Sequence, residues 1–170
     1  MRENAVWKRI KSIFHRPSKE PLFSGVRNDD AEMRGAYAAA AASIDELVAH
    51  VLRGGELTCA AKLRFKDPGL SKKLGEDRFV YLWLAGVELA DAGTLVGTFI
   101  QVPQELMQWH QPGQRLQFER GDIFDWFVND DGLMYGGFTM RVQRSRLPAA
   151  ERDSFDEYTG VRQWVHMEVN

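Results

Sequence analysis

The sequence predicts a single α+β domain, with an antiparallel twisted sheet of about five to six strands packed by one long N-terminal helix and by short helices. The chain has 170 residues, which is about the size of one domain. A long segment with apolar residues at helical spacing precedes several short segments in which apolar and polar residues alternate. Clusters of Gly, Pro, Asn and Asp separate these segments, as they do in turns.

Residues 1–28 are expected to form a basic amphipathic segment and a linker ahead of a domain over 29–170. Residues 1–20 hold six Lys or Arg and two Glu, a net charge of +4, so the remainder carries −6 of the total of −2. Two interpretations stay open for this segment. It docks on a membrane surface or a partner, or it folds back on its own domain or frays. Its apolar residues are at helical spacing: Val6, Ile10, Ile13 and Phe14, beside Trp7.

Deleting residues 1–20 is expected to leave the domain folded, because Pro17 and Pro21 mark a linker. The melting temperature of the truncated protein should therefore change little, and a thermal melt checks this. A large fall would show that apolar residues of the segment, such as Trp7 and Phe14, belong to the core.

The long helix is predicted over 30–53, because Asp29 and Asp30 are good N-caps and Gly54-Gly55 supplies a stop. The first strand, 58–66, alternates apolar residues with Lys62, Arg64 and Lys66, so these three are expected to face water. The further predictions, in order, are a polar loop over 67–77, strands over 79–89 and 95–102, a short helix from Pro103, strands over 114–119, 123–128 and 133–135, a helix over 148–158 and a strand over 161–169.

Several function classes find no support in the sequence. The one cysteine, Cys59, excludes an internal disulfide, and its place on the apolar side of a strand favours a buried side chain over a nucleophile. The four histidines lack metal-ligand spacing and no Gly-rich phosphate loop is present, so no metal and no cofactor are expected. The net charge argues against general nucleic-acid binding. With no apolar run of membrane-span length and no signal-peptide core, a cytoplasmic location is expected.

A lone carboxylate, Asp125, interrupts the apolar run 123–128. A buried carboxylate needs partners, a shifted pKa or access to water. Strand alternation predicts that Asp125 shares a buried face with Ile123 and Phe127. Three roles stay open: a structural tie between the 123–135 hairpin and the segment after it, which we favour, a ligand contact, or catalysis. The groups that are expected to hold this carboxylate follow closely in sequence: Gly136, Gly137, Thr139 and Arg141.

Acidic residues are dense between 119 and 131, where five carboxylates are offset only by Arg120. The turn 129–132 lacks the alternating ligands of a calcium loop. Asp122 and Asp125 lie three residues apart on one predicted strand, so they are expected to point to opposite faces, which argues against a catalytic pair. The exposed members of the group are expected to be Glu119, Asp122, Asp130 and Asp131.

A series of short motifs resembles the YegJ-like bacterial family, an uncharacterised family of small α+β proteins, over about residues 33–150. The most specific pieces are the Asp125-Trp126 pair and the stretch from Gly136 to Thr139. The residues themselves favour structural roles for Asp125, Trp126, Gly136, Gly137 and Thr139, and the resemblance implies little chemistry. It also implies a link with immunity proteins, because genes of such families often lie beside those of secreted toxins.

The leading hypothesis is an intracellular, non-enzymatic binding protein, most specifically an immunity protein that neutralises a toxin, such as a nuclease, encoded nearby. Its contact surface is expected to combine the four exposed acidic residues with Trp109 and Tyr135 as anchors. The alternative is a small-ligand domain or enzyme centred on Asp125 and Trp126. A third hypothesis is a peripheral membrane or scaffold protein that uses residues 2–14.

Overall fold

A computed structural model describes residues 30–168 of the chain as a mixed α+β structure built on one seven-stranded sheet. The predicted class is confirmed, although the sheet has more strands than expected. The strands are β1 Thr58–Lys66, β2 Phe79–Leu89, β3 Leu95–Phe99, β4 Arg115–Phe118, β5 Ile123–Asp130, β6 Leu133–Gly136 and β7 Gln163–Trp164. Their order in the sheet is β4-β3-β2-β1-β5-β6-β7. The basic segment 1–28 lies outside the described residues.

The sheet is antiparallel except at one edge, where β7 pairs in parallel with β6. This edge strand, β7, has only two residues, so it is much shorter than the strand expected over 161–169. The predicted hairpin is confirmed: β5 and β6 pair antiparallel, with Asp130 opposite Leu133. Within residues 30–168, no helix is both long enough and apolar enough to cross a membrane.

Five α-helices accompany the sheet among the described residues: α1 Ala31–Ala42, α2 Ile44–Arg53, α3 Pro68–Leu74, α4 Phe138–Arg146 and α5 Ala149–Thr159. The prediction of one helix over 30–53 was wrong, because the helix breaks at Ser43. The Ser43 hydroxyl donates to the carbonyl oxygen of Ala39 at 2.8 Å, and this side-chain bond competes with the regular backbone pattern.

The segment expected to be a polar loop, 67–77, contains α3. The Asp67 side chain accepts a hydrogen bond from the Leu70 amide at 2.8 Å, Pro68 starts the helix, and Gly75 ends it in a left-handed conformation. Helix α4 was also not expected, whereas the predicted helix over 148–158 is confirmed as α5.

The connection from β4 to β5 shows that the sheet is strongly coiled. Three strands separate β4 from β5, so their axes would lie about 19 Å apart in a flat sheet with strands about 4.8 Å apart. Only residues 119–122 join them, and a fully extended connection of that length reaches at most about 18 Å. Part of it is wound into a 3₁₀ turn, Arg120–Asp122. Sheet twist must therefore bring the two strands together.

Helices α1 and α2 cover one face of the sheet and form the main core with it. Trp126 is fully buried in this core, and its indole N–H donates to the Ala40 carbonyl oxygen at 3.2 Å. The small Ala36 and Ala40 side chains are both buried and allow this close approach. A smaller cluster lies on the other face: Ala60, Trp83, Phe127, Met134 and Val161.

Candidate functional site

Asp125 is completely buried, and its carboxylate accepts four hydrogen bonds. One oxygen accepts from the amides of Trp126 at 2.8 Å and Phe138 at 3.1 Å. The other accepts from the Thr139 amide at 2.8 Å and from the Thr139 hydroxyl at 2.5 Å. The carboxylate therefore joins β5 to the segment after Gly137, as the favoured interpretation of the sequence expects.

The carboxylate of Asp125 caps helix α4 from a neighbouring strand. The first amides of a helix lack partners within it, and Gly137, the residue before α4, has no side chain to offer. Asp125 takes the amides of Phe138 and Thr139, the first two residues of the helix. A negative charge is also favourable at this end of the helix dipole.

Lys62 is the cation of this site, although its strand pattern predicts exposure. It lies opposite Asp125 in the pairing of β1 with β5 and is only 8% exposed. Its ammonium donates to the Thr139 hydroxyl at 2.6 Å and lies 4.8 Å from the centre of the Trp83 ring. Thr139 thus bridges the two charges, accepting from Lys62 and donating to Asp125. We call these three residues the buried network.

Burial opposes both charges of the buried network. It lowers the pKa of Lys62 to about 8, against the opposing effect of Asp125. It also raises the pKa of Asp125, against the opposing effects of the Lys62 charge and of the hydrogen bonds from Thr139. The pair therefore consists of two desolvated groups, and the charged form of each is stabilised by the charge of the other.

The Lys62 pKa predicts a rise in stability at alkaline pH. Its folded-state pKa lies below the ordinary 10.5, so between pH 8 and 10.5 the unfolded chain binds more protons. The free energy of unfolding should rise there by a few kcal/mol, since one pKa unit is worth about 1.4 kcal/mol. Denaturation across this range should show the rise in the native chain and its loss in Lys62→Met. An equal rise in both proteins would contradict the assignment.

The geometry of the buried network favours a structural role over a catalytic one. Thr139 is 1% exposed and Asp125 is 0% exposed, so a substrate has no access to either group without opening the fold. A general base must come within hydrogen-bonding reach of its substrate. Here the Thr139 hydroxyl already donates its hydrogen bond to the Asp125 carboxylate.

A β-bulge corrects one expectation about the face of Asp125. Lys62 pairs with Asp125 but Leu63 pairs with Ile123, so Phe124 is the extra residue in β5. Ile123 therefore packs in the main core rather than beside Asp125, whereas Phe127 lies in the smaller cluster.

The other residues expected near Asp125 make different contacts. The Gly137 amide donates to the Trp126 carbonyl oxygen at 2.7 Å, and the Gly136 amide donates to the Met167 sulfur at 2.9 Å. Arg141 makes no hydrogen bond to Asp125. Its guanidinium donates to backbone carbonyl oxygens and so ties β6 to the C-terminal segment: those of Met134, Gly136 and Val165.

The four predicted contact carboxylates do not form one surface. Glu119 and Asp122 lie in the connection before β5, and Asp130 and Asp131 lie at its far end. The strand between the two groups, Ile123–Asp130, is about 23 Å long at roughly 3.3 Å per residue. Asp122 is exposed, as expected, but it lies in the 3₁₀ turn rather than on the strand, where its carboxylate accepts from the Glu119 amide at 2.9 Å.

The two acidic groups differ in their cation partners. Asp130 and Asp131 form ion pairs with Arg53 at 3.1 Å and with Arg162 at 2.6 Å. Near Glu119 and Asp122, the ion pair between Arg120 and Asp45, at 2.8 Å, brings in the start of α2. The exposed Asp45 thus joins this acidic surface, and the exposed Glu46 follows it on α2, although both lie more than 70 residues earlier in sequence and no local pattern links them.

The two predicted aromatic anchors lie in different surroundings. Trp109 is 47% exposed and lies before β4, at the opposite end of that strand from Glu119. Tyr135 is partly buried and packs on the His50 ring, with 4.5 Å between ring centres. Tyr135 therefore offers little free surface.

Nucleophilic and metal chemistry find little support among residues 30–168. Cys59 is buried, and burial raises the pKa of its thiol to about 11. In this part of the chain, no group of three or more His, Cys, Asp or Glu side chains is arranged to hold a metal ion.

Comparison with protein families supports a coarser form of the resemblance drawn from the sequence motifs. Residues 30–162 match the model of a family described as "Uncharacterized protein conserved in bacteria (DUF2314)". No curated protein and no solved structure matches the chain. The matched stretch contains α1 to α5, β1 to β6 and the whole buried network. The chain therefore belongs to this uncharacterised bacterial family, DUF2314.

Proposed function

We propose that this protein is a non-enzymatic intracellular binding protein, and most specifically an immunity protein that neutralises a bacterial toxin by direct contact. The observation that carries the proposal is a contrast within the domain. The polar groups suited to chemistry are buried and bonded to each other, whereas an acidic surface with more carboxylates than cations is exposed. The YegJ-like relationship and a cytoplasmic location are parts of the same proposal.

The acidic surface lies where the β4–β5 connection meets the start of α2. Its four carboxylates face a single cation, Arg120, which gives a local net charge of −3. We call it the crossover surface and define it by its carboxylates: Asp45, Glu46, Glu119 and Asp122. All four residues are exposed.

A nuclease toxin is the partner that suits this surface best. Nucleases bind phosphates and therefore carry basic clefts. A complementary acidic surface accelerates association with such a cleft and disfavours wrong partners. The hairpin residues Asp130 and Asp131 contribute less to this field, because Arg53 and Arg162 offset their charges.

Neutralising the crossover surface is expected to slow association with the neighbouring gene product. The variant carries Asp45→Asn, Glu46→Gln and Asp122→Asn, and it should lose association rate by about tenfold or more with little change in dissociation. Added salt should reduce the native rate in the same way. Stopped-flow kinetics at two salt concentrations measures both effects.

The hairpin variant Asp130→Asn/Asp131→Asn is the matched control, since each of its two carboxylates has its own cation partner, whereas the crossover surface has one cation for four carboxylates. It should slow association less than the crossover variant does. Salt-independent association, or equal effects of the two variants, would refute the electrostatic part of the proposal. Absence of binding to the neighbouring gene product would refute the immunity function.

The alternative centred on Asp125 and Trp126 receives no support from the geometry. Both side chains are fully buried, and both use their polar groups within the fold. We therefore do not extend the proposal to a small ligand or a reaction at these residues.

A further inference from the structure

Five large apolar side chains are exposed at one end of the sheet. Their exposed fractions lie between 39% and 47%, and we call this surface the apolar end: Leu70, Leu74, Phe79, Met107 and Trp109. Among residues 30–168, the other exposed large apolar residue is Leu52, near the end of α2, which is 70% exposed. Exposed apolar residues that collect at one place mark a contact surface more often than scattered ones do.

The residues of the apolar end lie in or beside two connections, one between β1 and β2 and the other between β3 and β4. Leu70 and Leu74 lie one turn apart on α3, whose Ser71 faces inward and accepts a hydrogen bond from the Arg78 amide at 2.8 Å. Phe79 then begins β2. The buried side of α3 is thus fixed against the fold, which leaves its two leucines outside.

The connection between β3 and β4 supplies Met107 and Trp109. The ring of His110 anchors it, with 5.0 Å between the ring centres of His110 and Phe65. Phe65 pairs with Val80, the neighbour of Phe79, in the register of β1 with β2. Both connections therefore lie over the same end of the sheet.

The charge at this end differs from that of the rest of the domain. Five cations and four carboxylates lie on or beside the two connections, a net charge of +1, whereas residues 30–168 carry 15 Lys or Arg and 21 Asp or Glu. Lys72 and Lys73 form no ion pair with any of the described residues. The cations are Arg64, Lys66, Lys72, Lys73 and Arg78, and the carboxylates are Asp67, Glu76, Asp77 and Glu105.

Helix α1 also begins at this end. The Ala40 carbonyl oxygen lies beside Trp126, which pairs with Ala61, whereas the Tyr37 ring stacks on Tyr81, which pairs with Arg64. Helix α1 thus runs with its N-terminus towards the end of the sheet that carries Phe79. The basic stretch 1–20, with its net charge of +4, precedes that helix.

We propose that the apolar end contacts an anionic membrane surface. Exposed Trp, Phe and Leu residues insert at the boundary between headgroups and acyl chains, and nearby Lys and Arg residues are attracted to anionic lipids. The charge polarity of residues 30–168 turns the apolar end towards the lipid. The same polarity turns the acidic remainder of the domain away from it.

Vesicle flotation of the full chain tests this proposal. The native protein is expected to float with vesicles of phosphatidylcholine and phosphatidylglycerol in equal amounts, and not with pure phosphatidylcholine. The variant Leu74→Ser/Trp109→Ala should lose about tenfold or more in partitioning, because two apolar side chains are withdrawn from the interface. The control variant Leu52→Ser removes an exposed leucine elsewhere and should float as the native chain does.

Three results would overturn the proposal. Failure of the native chain to float with anionic vesicles would do so, including the case in which the surface binds a protein instead. Equal flotation of the native chain and the Leu74→Ser/Trp109→Ala variant would assign lipid binding to residues 1–20 alone. Loss of flotation in Leu52→Ser to the same degree would show a general effect of apolar residues. Circular dichroism establishes that each variant is folded.

Discussion

The Asp125→Ala variant is expected to lose about 3–5 kcal/mol of unfolding free energy, the cost of removing one partner of a buried ion pair. The loss should exceed the roughly 1–3 kcal/mol of a single unsatisfied group. It leaves the Lys62 ammonium buried without its counter-charge, and it leaves the amides of Phe138 and Thr139 without an acceptor. Equilibrium denaturation with urea measures the change.

The double variant Lys62→Met/Asp125→Asn separates the ion pair from the cap. Removing both charges should cost less than the sum of the two single changes, with a coupling energy of about 1–3 kcal/mol. The loss of unfolding free energy that Asp125→Asn still causes in the Lys62→Met background measures the contribution of the hydrogen bonds between Asp125 and α4. Strict additivity would contradict a coupled pair, even if each single variant is destabilised.

Gly136→Ala is expected to destabilise the fold by more than about 3 kcal/mol. Gly136 has φ 66°, a left-handed conformation that costs an L-residue about 1–2 kcal/mol. A Cβ there would also lie 2.8 Å from the Trp126 ring and still closer to the Trp126 carbonyl oxygen. Trp126 is fully buried, so neither the ring nor the backbone has room to move.

Gly137→Ala is the matched control for this change. Gly137 has φ 65°, but a Cβ there would meet nothing closer than the Trp164 ring at 3.4 Å. Its cost should therefore be about 1–2 kcal/mol, from the backbone conformation alone. Thermal melts of both variants give the comparison, and equal melting temperatures would show that the clash with Trp126 is relieved at no cost.

The buried network shows what a sequence can and cannot reveal. Asp125 is detectable because a lone carboxylate in an apolar run must find partners, and Thr139 lies close enough in sequence to be one of them. Lys62 is not detectable in this way, because its strand alternates and predicts an exposed lysine. Only the pairing of β1 with β5, across more than 60 residues, places it opposite Asp125.

The fold was predictable where signals are local. The hairpin of β5 and β6 and helix α5 follow from turn residues and periodicity, and both are present. The break at Ser43 was not predicted, because the apolar residues before and after it keep helical spacing. A single side-chain hydrogen bond decides the outcome. The acidic surface was misjudged for a different reason, since the fold brings Asp45 to Arg120, whereas the length of β5 separates Asp122 from Asp130.

The claim that the buried network is structural and that the protein acts through its surface is tested most directly with Thr139→Val. Valine keeps the shape of the side chain but removes the hydroxyl that joins Lys62 to Asp125. The free energy of unfolding should fall by about 1–3 kcal/mol, while the folded variant binds the neighbouring gene product with unchanged affinity. Unchanged stability together with lost binding would contradict the claim and make the buried network part of the functional site.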